Sequence, residues 1–126
     1  MRSARVLVVL LAALSLLACG GGGASTQDAP KARGVEVASW LFASRGVILS
    51  WVDGKISPEA ADKNLESTLE MLRRESSTAA GTPMAPHLAK AQTLLETARK
   101  AVQKDDKAAA IDAAASLSDV RSKLEP

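Results

Sequence analysis

Tyrosine is absent from this chain, and cysteine, histidine and phenylalanine each occur once. A single thiol, Cys19, excludes an intramolecular disulfide. A single imidazole, His87, excludes a di-metal carboxylate bundle, which takes Glu-x-x-His from two helices, and leaves a zinc site only His87 with carboxylates. Serines are numerous, yet His87 is the lone imidazole base and no Gly-x-Ser-x-Gly elbow is present. Gly20-Gly21-Gly22-Gly23 has neither a strand pattern before it nor Gly-Lys-Ser/Thr after it, so it is no phosphate loop. Asp and Glu are plentiful, but no spacing selects an acid–base pair, and the charged runs read as solvated helix faces.

Large charge of one sign is also lacking. The chain carries 16 basic and 14 acidic residues. Arg2 and Arg5 stand at the head of an apolar stretch, Val6 to Leu17, whose length suits the core of an export signal. That run is shorter than the roughly 20 residues a membrane span requires. With the leader removed, basic and acidic residues balance at 14 each. A neutral remainder with interspersed charges gives no electrostatic basis for binding nucleic acid or an anionic membrane surface.

What is present is concentrated at the end of the leader. Leu16-Leu17-Ala18-Cys19 resembles the lipobox of bacterial lipoproteins, with an apolar residue three positions before the cysteine and a small residue just before it; Leu17 is the less usual member. The resemblance implies cleavage between Ala18 and Cys19 and a covalent diacylglycerol and acyl group on Cys19. With one imidazole and one thiol in the chain, no cofactor is expected beyond that covalent lipid. Several acyl chains give the stable anchoring that one chain does not, and acylation accounts for the lone thiol. Residue 20 is Gly rather than Asp, which in that family favours the outer membrane, facing the periplasm.

Downstream, residues 19–34 are rich in Gly, Ala, Ser, Thr, Gln and Pro and read as a tether with a reach of ~20 Å. The expected organisation is a signal peptide at 1–18, the acylated cysteine and tether at 19–34, and one domain at 35–126, long enough for a single small core. Within it, Met84, Leu88, Ala91, Leu95, Ala98 and Val102 form one helical stripe, and Ala110, Ala113, Leu117, Val120 and Leu124 another. Lys104-Asp105-Asp106-Lys107 between them reads as a capped turn rather than a cation loop. Ser57-Pro58-Glu59 opens a helix with Ala61, Leu65, Leu69 and Leu72 inward and Glu59/Lys63 and Glu70/Arg74 as i, i+4 pairs. Thr82-Pro83 is expected to begin the next helix, with Pro86 in its first turn. Val35 to Asp53 carries β-branched residues that would suit a strand, but small and polar residues recur at helical spacing and Gly54 supplies a stop, so a helix is preferred.

Four helices of similar length with short links predict an all-α fold, a small antiparallel up-down four-helix bundle. A helical hairpin plus two looser helices is the alternative. The segment Pro83 to Leu124 also resembles alanine-rich helical-hairpin lipoproteins, a likeness that brings no function with it. Trp40, Phe42 and Trp51 all fall on the first helix, as core or, where uncovered, as a candidate contact patch for protein or lipid.

The functional expectation is a membrane-anchored, non-enzymatic structural or protein-interaction module of the cell envelope, whose partners are the membrane, through the lipid, and an envelope protein. The alternative is a periplasmic carrier of a small apolar ligand, or of haem held between Met71 and His87.

Overall fold

A computed structural model describes residues 29–125, with side chains from residue 33. The expected signal peptide, the Leu16-Leu17-Ala18-Cys19 motif and most of the expected tether lie outside the described residues. The described residues form four α-helices, α1 Ala29–Val52, α2 Pro58–Thr78, α3 Ala85–Gln103 and α4 Lys107–Leu124, and from Lys31 onward they make one compact unit. No strand occurs among the described residues, so the expected four-helix bundle is the fold.

The helices close into a ring. α2 packs on α3 and α3 on α4. Arg33 near the start of α1 meets Glu75 near the end of α2 at 2.9 Å, and Gly34 lies against the Leu124 carbonyl at the end of α4. Start thus meets end at both neighbours of α1, the arrangement of up-down connectivity.

The stripes read from spacing on α2, α3 and α4 are the faces that are buried. Ala61, Leu65, Leu69 and Leu72, then Leu88, Ala91, Leu95, Ala98 and Val102, then Ala110, Ala113, Leu117, Val120 and Leu124 join Val37, Ala38, Leu41, Ile48 and Trp51 in one core cluster. Each fully buried Leu or Ile contributes about 1.5–3 kcal/mol relative to exposure.

The α1–α2 and α3–α4 links are short and capped at both helix ends. Ser57 accepts from the Ala60 amide at 3.1 Å. After α1, Gly54 at φ 75° lets its own amide donate to Trp51 O and the Lys55 amide to Ser50 O, which is the Schellman closure. The α3–α4 turn repeats this with an aspartate where glycine is usual. Asp105 takes φ 54°, and the Asp105 and Asp106 amides donate to Val102 O and Ala101 O. Asp106 then caps α4 by accepting from the Ala109 amide at 3.1 Å.

Three expectations are corrected. α1 begins at Ala29 rather than Val35, so residues 29–34 are helix and not tether. Pro30 falls in the first turn, where a missing N–H costs nothing, and Gly34 is a close-approach residue inside the helix rather than the end of a tether. α3 begins at Ala85 rather than at Thr82-Pro83. A helix capped at Thr82 would put Pro86 at the first position whose N–H must bond. The observed start gives that position to Leu88, which donates to Met84 O at 3.1 Å. Finally, the ion pairs among the described residues run mainly between helices, and neither Glu59/Lys63 nor Glu70/Arg74 closes.

Candidate functional site

Three groupings of polar or aromatic side chains could carry chemistry. The first is a network across the α2/α3 seam. Arg99 donates from Nε to Asp62 Oδ1 at 3.0 Å and from Nη2 to Oδ2 at 3.2 Å, while Gln103 donates to Oδ1 at 3.3 Å and Glu66 stands 3.8 Å from the same guanidinium. The hydrogen bonds from Arg99 hold the Asp62 carboxyl below its ordinary range, against the opposing effect of partial burial. The same pairing raises Arg99. A carboxylate so held is ionised throughout the neutral range and is poorly matched to proton transfer there. Asp62 also borders an open cleft of about 530 Å³ with Pro58, Glu59, Val102, Gln103 and Asp105. The cleft lies over this ion pair rather than over an unpaired reactive group.

The second grouping is inside the bundle. Ser44 on α1 is 2% exposed, and its hydroxyl finds no hydrogen-bond partner among the described residues; neither does the buried Nε of the adjacent Arg45. Sequence reasoning missed Ser44, because serine on a helix carries no inward signal. Its place becomes visible only once Val37, Leu41, Ile48 and Trp51 are known to point inward, since Ser44 fills the gap in their 3–4 spacing.

The third is the aromatic set of α1, which does not form one exposed patch. Trp51 is 4% exposed and part of the core. Trp40 is half-buried and packs against that core. Phe42 alone stands out, 57% exposed, with the Arg121 guanidinium of α4 4.9 Å from its ring centroid. By length and composition Arg33–Val52 would also pass as a membrane span. Core helices meet that test as well, and here Val37, Ala38, Leu41, Ile48 and Trp51 face into the bundle.

His87 sits half-buried in the first turn of α3, and Met71 is half-buried on α2. Among the described residues no group of three or more His, Cys, Asp or Glu side chains converges as metal ligands would. Cys19 and Ala18 lie outside the described residues.

No family model, curated protein or solved structure matches the chain. The class that the fold defines is a small all-α protein, an antiparallel four-helix bundle.

Proposed function

We propose that the mature chain is a lipid-anchored, non-enzymatic helical-bundle module of the cell envelope, held at the periplasmic face of the outer membrane by acyl chains on Cys19. The observation that carries this reading is the order of parts along the chain. Two arginines, an apolar run and Leu16-Leu17-Ala18-Cys19 precede a compact unit that starts at Lys31. An anchor followed closely by a self-contained bundle is the layout of a module that acts by being present at a membrane surface.

The polar groupings support the same reading. The Asp62–Arg99 pair is occupied by its own partners, so its chemistry goes into holding α2 to α3. Envelope proteins reached from that surface are the proposed partners.

Replacement of Cys19 tests the reading. Cys19→Ala should block lipoprotein processing and leave a precursor that retains residues 1–18, while helicity is unchanged because the core among the described residues is formed by side chains from Val37 to Leu124. A Cys19→Ala chain processed and membrane-bound like the wild type would contradict it.

A further inference from the structure

Among the described residues the large hydrophobic side chains left exposed are Val35 and Phe42 on α1 and Ile111 on α4. None is on α2 or α3. Val35, Phe42 and the half-buried Leu49 recur every seven residues, so they stand on one flank of α1. That flank faces α4, because Phe42 lies under Arg121. Helical geometry puts Ile111 on the same side of α4 as Arg121, and the antiparallel register sets it toward the Leu49 end of α1. The four residues therefore make one apolar ridge along the α1/α4 seam.

The opposite seam has the opposite character. Across α2/α3 run the ion pairs of Arg99 with Asp62 and Glu66 and of Arg73 with Glu96. The ion pairs that join one helix to another thus lie on the α2/α3 and α1/α2 seams, whereas the exposed large apolar side chains lie along α1/α4. At the apolar seam Arg121 stands over Phe42 and 3.8 Å from Glu125, the half-buried Arg45 falls by helical position between the ridge and the core-facing residues of α1, and the exposed Asp53 follows Leu49 by one turn.

We infer that the α1/α4 seam is a membrane-docking face: the ridge of Val35, Phe42, Leu49 and Ile111 rests in the interfacial layer of the bilayer that holds the anchor, with Arg45 and Arg121 in the anionic headgroup region. The inference rests on the lipoprotein reading of Cys19 and deepens it by assigning the face turned to the lipid. Only ten peptide units separate Cys19 from Ala29, and however arranged they span at most ~36 Å, about the length of α1 itself. The first residue of α1 therefore stays within one helix length of the anchor. An anchored face meets the bilayer as an intramolecular event, so a ridge too small to recruit a free protein is sufficient here. Long cationic side chains flanking an apolar strip suit the interface, where the aliphatic stem lies over apolar groups and the charge reaches headgroups.

The test uses the full chain expressed with its leader in a diderm bacterium, with the mature protein placed at one copy per nanodisc of phosphatidylethanolamine and phosphatidylglycerol carrying spin-labelled lipid. A fluorophore is attached at Gly46→Cys, beside the ridge, where an added Cβ meets nothing within 4 Å; the control is Glu66→Cys on the ion-paired seam. The lipid quencher should dim the Gly46 label at least about twofold more than the control, and Phe42→Asp with Ile111→Asp should remove the difference while helicity holds. Equal quenching in a chain whose mass shows acylated Cys19 overturns the docking face alone. A mature chain without acyl mass overturns the anchoring and the docking together. A Gly46 label that is dry yet unquenched by lipid assigns the ridge to a protein partner and also overturns the proposal.

Discussion

The same substitution at two glycines of α1 should act with opposite signs. Alanine is favoured over glycine inside a helix by ~0.8–1 kcal/mol. At Gly46 a Cβ would meet nothing within 4 Å, so Gly46→Ala should realise most of that gain. At Gly34 the Cβ would stand 2.7 Å from the Leu124 carbonyl oxygen, well inside contact and against backbone rather than a movable side-chain tip. Overpacking of this kind costs about 1–3 kcal/mol. The end of α4 can yield a little, and the propensity gain still applies, so Gly34→Ala should lose roughly 1 kcal/mol net, with an upper limit near 2. In a domain of this size each kcal/mol moves Tm by about 4–8 °C. Thermal and urea unfolding of the two mature variants beside the wild type would measure both. A gain at both positions would refute the close approach of α1 to α4, and a loss at both would refute the open face at Gly46.

Ser44→Ala should be neutral or stabilise by up to about 1 kcal/mol in urea unfolding, because it removes a buried hydroxyl that has no partner; a clear loss would mean that the hydroxyl is satisfied inside the bundle. Asp62→Asn should cost about 1 kcal/mol at neutral pH, a modest figure because the pair is partly exposed. The folded chain holds the Asp62 carboxyl below its ordinary range, so this stability is complete above the usual aspartate pKa and disappears as pH falls through the depressed folded value. The variant and wild type should therefore converge in strong acid, and an equal deficit at all pH values would contradict the ion-pair assignment. Asp105→Gly should stabilise by about 0.5–1 kcal/mol by relieving the left-handed backbone, and Asp106→Ala should cost about 1 kcal/mol through loss of the α4 cap; calorimetry showing the reverse order would refute the turn geometry.

Where apolar and polar residues alternate at helical spacing, the buried face could be read directly. Leu65, Leu69 and Leu72 on α2 and Leu117, Val120 and Leu124 on α4 are inward as their steps of three and four require. α1 offers less contrast, since apolar residues cover most of it outside the narrow stripe of Glu36, Ser39, Ala43, Gly46, Ser50 and Asp53. Its inward serine, its close-approach glycine and the separation of Phe42 from Trp51 were consequently hidden until neighbouring helices supplied a direction. The Asp62–Arg99 pair was hidden for a related reason. Local spacing proposes partners one turn apart, whereas these two belong to different helices and meet only through the α2/α3 register. The start of α3 was misplaced because two prolines competed, and the one that mattered was Pro86, whose missing N–H sets the earliest position at which the helix can begin.

The central claim is that this bundle is held at a membrane by lipid on Cys19. The most direct measurement is the intact mass of the chain extracted from membranes of cells expressing the unmodified sequence. The account predicts a mature protein that begins at Cys19 and carries the mass of a diacylglycerol and a further acyl group. A chain that keeps residues 1–18, or one that begins at Cys19 with a free thiol and is recovered away from the membrane, would contradict it.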